Sequence, residues 1–190
     1  MSHAVDLRFG ELIHKEFILE LFNSTEFLEN GMRRTTDSNL SHLLKDNLYF
    51  DFDSGNGFLV FLEKDTTKKI GSVKIATSLR NQVATINGGV INDYFGTAYS
   101  RTSLIEALQF LFSNYPIKRI EMNILASNQR SLRFHDKMGF IREGIKRKAW
   151  FCNGCLQDQV IMGLLKEEFD SLYANQFIGN EVNLKELFLQ

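Results

Sequence analysis

Proline is almost missing from this chain: Pro116 is its single representative among 190 residues. No Pro-rich tract marks a linker, and a chain of this length reads as one domain with at most a small appendage. Cysteine is nearly as scarce. Cys152 and Cys155 are the only two, which excludes a disulfide-stapled scaffold. With no second Cys pair, and the nearest histidine, His135, well upstream, a four-ligand metal site is rejected. Asn153-Gly154 between them is the strongest short hairpin signal, so the thiols are read as flanking a turn. Long apolar runs are also lacking, and no window approaches the length of a membrane-crossing helix. Met-Ser-His-Ala-Val-Asp-Leu-Arg at the start does not show the basic-then-apolar order of a signal peptide. The expectation is a cytoplasmic protein with no membrane partner. Neither sign of charge is in excess, with 22 Lys and Arg facing 23 Asp and Glu. That balance argues against a nucleic-acid partner.

What the chain does have is apolar bulk: 44% hydrophobic residues and 17 phenylalanines, enough for a sizeable core without disulfides. Val5 to Phe9 reads as a short strand and Glu11 to Asn23 as a helix whose buried face carries Leu12, Ile13, Phe17, Leu21 and Phe22. Three strands follow as a meander, Phe58 to Glu63, Ile70 to Ser78 and Val83 to Ile91, separated by turn-forming stretches. The third contains Gly88-Gly89, which marks a bulge or a place where another backbone or a ligand comes close. Ser100 to Phe112 is a helix ended by Asn114-Tyr-Pro116. Ile117 to Leu125 is a strand with one polar and one mostly apolar face. Asn128 to Met138 is a helix stopped by Gly139. Phe140 to Phe151 and Leu156 to Leu165 form the hairpin, and Lys166 opens a terminal helix. Domain limits are set at residues 1–168, with 169–190 as an extension packed on the domain or on a partner subunit.

The informative stretch runs from Ile91, at the end of the third strand, to Phe140. Its first part, Phe95-Gly-Thr-Ala-Tyr-Ser100, is a small-residue loop opening a helix. The first N–H groups of a helix have no partner within it, and the aligned peptide dipoles place about half a positive charge there. Such a junction holds an anion without needing a basic side chain. Its second part is Asn128-x-x-Ser131, then His135-Asp136-Lys137, then Gly139-Phe140. With the order of the elements, these two blocks resemble the GCN5-related N-acetyltransferase (GNAT) superfamily, and more closely its ribosomal-protein N-terminal acetyltransferase branch. The likeness covers Val5 to about Leu165. Gly144, Arg147-Lys148, Asn153-Gly154 and Asp158 resemble the closing hairpin of that branch.

The resemblance implies an α/β (α+β) fold: a mixed, mostly antiparallel twisted sheet of about seven strands flanked by helices and splayed at the fourth and fifth. It implies acetyl-CoA as co-substrate, with no metal. The family's Arg/Gln-x-x-Gly-x-Gly/Ala loop binds the coenzyme A pyrophosphate, and counted without gaps it falls on Phe95, Gly96, Thr97, Ala98, Tyr99 and Ser100. Phe95 thus replaces the Arg/Gln, Ala98 the central Gly, and Ser100 the last small residue. Ile91 and these six, with Arg101 as a compensating charge, Asn128 and Ser131, form the expected cofactor set. Asn128 has a second reading, as the cap of its own helix.

The activity implied is N-acetyl transfer to a primary amine, either a peptide or protein N-terminus or a small amine such as an amino sugar or polyamine. The alternative is a degenerate domain that binds acyl-CoA or a protein partner without turnover. His135 stands where the family often has a tyrosine acid, and an imidazole has its pKa in a useful range for that task. The family's glutamate base falls near Thr85 to Gly88, where this chain has no carboxylate. Glu121 and Asp93 are the candidates that remain. Tyr49, Asp51 and Asp53 are expected to line the acceptor side, where acidic charge attracts a cationic amine. The expected state is a monomer or a homodimer.

Overall fold

The computed structural model describes residues 5–30, 50–152 and 154–173. Tyr49, and all of the C-terminal extension beyond residue 173, lie outside the described residues. Seven strands form one sheet, β1 (Val5–Phe9), β2 (Gly57–Glu63), β3 (Lys69–Ser78), β4 (Val83–Val90), β5 (Arg119–Leu125), β6 (Ile141–Cys152) and β7 (Cys155–Leu165), in the order β1-β2-β3-β4-β5-β7-β6. All neighbours are antiparallel except β4 and β5. The helices are α1 (Lys15–Asn23), α2 (Thr25–Glu29), α3 (Ala98–Asn114), α4 (Gln129–Lys137) and α5 (Lys166–Tyr173).

The Gly-Phe-Leu-Val-Phe-Leu-Glu sequence of β2 is apolar on both faces because both are covered. Phe58 and Val60 pack with Ile18, Leu21 and Phe22 of α1, while Leu59 and Phe61 join the larger core that includes Leu108, Phe110 and Leu111 of α3. The expected first helix begins instead as a short 3-10 turn, Leu12–His14. That turn rotates Leu12 and Ile13 outward, leaving them 60% and 72% exposed, and Ile18 takes the buried place.

β3 and β4 pair without a register break from Gly71↔Val90 to Ser78↔Val83, so Gly88-Gly89 marks no bulge in that ladder. Glycine is required for the other reason. Gly88 has φ of 148°, and a Cβ there would stand 2.2 Å from the Ser72 carbonyl oxygen.

The parallel contact of β4 with β5 is brief: Val83, Ala84 and Thr85 pair with Arg119, Ile120 and Glu121, and beyond them the strands separate. β5 keeps pairing with β7 along its length, Arg119↔Leu165 to Leu125↔Gln159. The splay expected between the fourth and fifth strands is therefore present.

The expected limit at residue 168 falls within α5. Phe169 of that helix is buried against Phe112 and Tyr173, and the Tyr173 hydroxyl donates to the Met138 carbonyl at 3.1 Å. Cys152 pairs with Cys155 across the hairpin end as free thiols, and the Cys152 Sγ lies 3.6 Å from the Leu28 carbonyl of α2.

Candidate active site

Where β4 and β5 diverge, a cleft opens whose empty volume, mouth included, is about 1120 Å³. Its walls are Ile86 to Val90 of β4, Met122 to Ile124 of β5, and the starts of α3 and α4. Past Thr85 the β4 edge facing β5 has no strand ladder, so alternate backbone groups along it are available to an extended ligand. Glu26, Phe27 and Asn30 close one side, with the Phe27 ring lying 3.5 Å from the position of a Gly89 Cβ.

The loop before α3 is built by its own side chains. Gly96 turns the chain with φ of 79°. Its amide donates to Ser100 Oγ at 3.1 Å, and that hydroxyl donates to the Thr97 carbonyl at 2.9 Å. Thr97, the residue in the capping place, does not cap the helix; its hydroxyl donates back to the Tyr94 carbonyl at 2.6 Å. The first turn of α3, Ala98 to Ser100, is thus left without a side-chain cap beside the mouth of the cleft. Of the expected cofactor set, Phe95, Ser100, Asn128 and Ser131 line the cleft. The Gly96 amide is spent inside the loop, Tyr99 turns toward Glu63 and Tyr94, and the Ile91 amide donates to Ile70. Arg101 lies near enough to α5 for its charge to act on the Tyr173 phenol.

Sequence reasoning missed Ser103. One turn beyond Ser100, it lines the cleft at 1% exposure. Among the described residues its Oγ is the buried side-chain polar atom without a hydrogen-bond partner. A buried hydroxyl left unpaired costs about 1–3 kcal/mol, and a ligand with amide groups in the cleft would relieve that cost. Together with the uncapped start of α3, this fits a long, anion-tailed thioester carrier. Arg130 was missed as well, because in the sequence it is only one arginine on a helix. Its guanidinium lies 3.9 Å above the centre of the Phe95 ring.

Asn128 Oδ1 accepts from the Ser131 amide at 3.0 Å, so the capping role is occupied. His135, one turn on, packs edge-on against Phe134 and Phe140 while keeping some surface along the cleft. Burial pushes its pKa down to about 4. Its Nδ1 lies 2.9 Å from the Ser131 carbonyl oxygen, which fixes the proton on Nδ1 and leaves Nε2 as an acceptor. Near neutral pH the ring is therefore uncharged and has no free proton at Nε2, the reverse of the acid expected from the sequence.

The expected carboxylates stand elsewhere. Glu121 is paired with Arg119, which also binds Glu143, and it is not part of the cleft wall. Asp93 is on an exposed 3-10 turn. Asp51 and Asp53 belong to a turn tied to the closed end of the sheet: Asn56 accepts from the Thr77 amide, and Thr77 pairs with Ala84, next to the β4–β5 contact. Neither is among the residues lining the cleft. Asp158 accepts from the Lys148 amide at 2.8 Å, a structural bond in the hairpin. The titratable groups among the described lining residues are Glu26, Arg130 and His135.

Comparison with known proteins places this geometry. The spermidine N-acetyltransferase of Vibrio cholerae, solved in complex with CoA and spermine, superposes with a TM-score of 0.77 at 20% identity, covering 87% of this chain and 97% of that one. In sequence, the SPbeta prophage-derived uncharacterized N-acetyltransferase YokL of Bacillus subtilis is 30% identical over 81 residues, 43% of this chain and 46% of the relative. The spermidine N(1)-acetyltransferase of Vibrio cholerae is 25% identical over 77 residues, 40% of this chain and 44% of the relative. The aligned stretches thus span less than half the length of these two relatives. The likenesses do not support the ribosomal-protein N-terminal branch. The profile of the acetyltransferase (GNAT) domain matches residues 9–141, and this chain belongs to that family.

Proposed function

We propose that this protein is an N-acetyltransferase that moves an acetyl group from acetyl-CoA to a primary amine, with a polyamine as the favoured acceptor class. The observation that carries the reading is the splayed β4–β5 cleft, ending at the uncapped start of α3 and holding the unpaired Ser103 hydroxyl. In this reading the pantetheine arm runs along the free edge of β4, and the diphosphate sits at the Ala98 to Ser100 amides. Among acceptors, a polyamine is favoured because similar proteins are spermidine acetyltransferases.

The chemistry is direct. The neutral amine attacks the thioester carbonyl and forms the C–N bond. A backbone amide on the free β4 edge takes the developing oxyanion, and the C–S bond then breaks. One proton must pass from the attacking nitrogen to the departing thiolate. We assign that transfer to His135, whose unprotonated Nε2 accepts the proton and whose low pKa makes the resulting imidazolium ready to release it.

The test is a titration with acetyl-CoA followed by thiol-release assays on spermidine, glucosamine and a short peptide with a free N-terminus. Binding with release on spermidine is expected, and Ala98→Glu, which puts a carboxylate beside the phosphate position, abolishes binding. Binding with no release on any amine would turn the reading into the non-catalytic one, and no binding at all would overturn it.

A further inference from the structure

Arg130 already holds an anion, and that anion is part of the protein. Its Nη1 donates to Glu26 Oε1 at 3.1 Å and to Asn92 Oδ1 at 2.8 Å, and its Nη2 lies 3.5 Å from the Phe95 carbonyl oxygen. The guanidinium carbon lies 3.9 Å from the centre of the Phe95 ring, a stacking distance at which the N–H groups meet their oxygen acceptors around the ring rather than through it. The side chain projects from the first turn of α4 across to the residues just before α3, so it stands beside the uncapped end of that helix. The pair it forms with Glu26 is half exposed, at 48% for Arg130 and 33% for Glu26. Such a pair is weakly held and screened by salt.

We propose that Arg130 is the residue that recognises the diphosphate of the cofactor, and that it does so by exchanging the Glu26 carboxylate for phosphate oxygens. The inference rests on the acetyl-CoA reading above and names the charge that reading lacks. Phe95 offers no side-chain donor at its place in the loop, and Arg101 is not among the residues lining the cleft. Phe95 serves instead as the ring over which the arginine of a different helix is placed. A diphosphate offers that fork more charge and more acceptors than one carboxylate, so the exchange runs toward the ligand. Glu26 is then a built-in competitor: its negative charge both occupies Arg130 and repels the incoming phosphates.

Calorimetric titration of the full chain separates the parts. The probes are CoA and dephospho-CoA, which keeps the diphosphate but lacks the 3′-phosphate. Arg130→Ala is expected to weaken both ligands by about 10- to 100-fold. Arg130→Lys is expected to recover part of the loss, since it keeps charge without the fork. Glu26→Gln is expected to tighten both by about 2- to 10-fold and to steepen the salt dependence of binding, because the anion then meets a cation with no carboxylate to displace. Thermal unfolding without ligand should move little in any of them, because the pair is a surface pair. Equal affinity of wild type and Arg130→Ala would overturn the assignment. So would a loss confined to CoA, which would point to the 3′-phosphate, and weaker binding by Glu26→Gln would refute the exchange. A wild type that binds neither probe removes the acetyl-CoA reading and this one together, and it is seen before any variant is compared.

Discussion

His135 should make this protein lose stability in mild acid by a calculable amount. In the folded chain the imidazole is held neutral, with its pKa pushed to about 4 by burial among Phe134, Phe140 and the wall of the cleft. In the unfolded chain it returns to the ordinary value near 6.5. As pH falls through that value the unfolded state takes up a proton that the folded state refuses, so the balance shifts toward unfolding. The penalty grows until the folded-state pKa is reached and is constant below it. With a difference of about 2.5 pH units at about 1.4 kcal/mol each, the full effect is about 3.5 kcal/mol. Between about pH 7 and pH 5 the share lost is about 2 kcal/mol, a large part of the stability of a single domain. The assay is urea unfolding at both pH values for wild type and His135→Gln. Glutamine keeps a donor for the Ser131 carbonyl and cannot titrate. Other groups, including His14, whose pKa is also lowered by burial, contribute equally to both proteins, so the difference between them isolates His135. The variant should lose about 2 kcal/mol less than wild type across that interval. Equal losses would show that the imidazole is not held neutral in the fold, and the proton-transfer role proposed for it would fall as well.

Two further perturbations test the cleft and the domain limit. Ser103→Ala removes a buried hydroxyl without a partner, so the ligand-free protein should be unchanged or more stable by about 1–3 kcal/mol, while acetyl-CoA binds about 2- to 10-fold more weakly; tighter binding, measured by calorimetry, would count against a ligand contact. Phe169→Ala should cost about 3–5 kcal/mol in urea unfolding, because that ring is 1% exposed against Phe112. A loss below about 1 kcal/mol would mean that α5 is dispensable to the core.

Much of the frame could be read from local signals. Alternating and apolar runs located the strands to within a few residues. Gly139, with φ of 92°, ends α4 as a glycine after a helix should, and Cys152 and Cys155 flank the hairpin turn as the Asn-Gly pair between them foretold. These features depend on neighbours a few residues apart, and pattern and turn chemistry decide them. The small residues from Gly96 to Ser100 likewise marked the junction before α3, and the Asn128 to Phe140 block its companion.

Tertiary structure decided the rest, because charge and burial depend on partners far away in the chain. Glu121 has the residue type of a base, but Arg119 claims it. Asp51 and Asp53 are acidic as expected, yet Asn56 anchors their turn to the closed end of the sheet. His135 stands where the family often has a tyrosine, and it is burial in the fold, not the motif, that lowers its pKa. Among the described residues the cationic side chain on the cleft wall is Arg130 and not the expected Arg101, and its neighbours Glu26 and Asn92 are 104 and 38 residues away in sequence. No local pattern encodes such an encounter. The sequence determined where the cleft is built and from which elements; the fold determined which side chains carry charge within it.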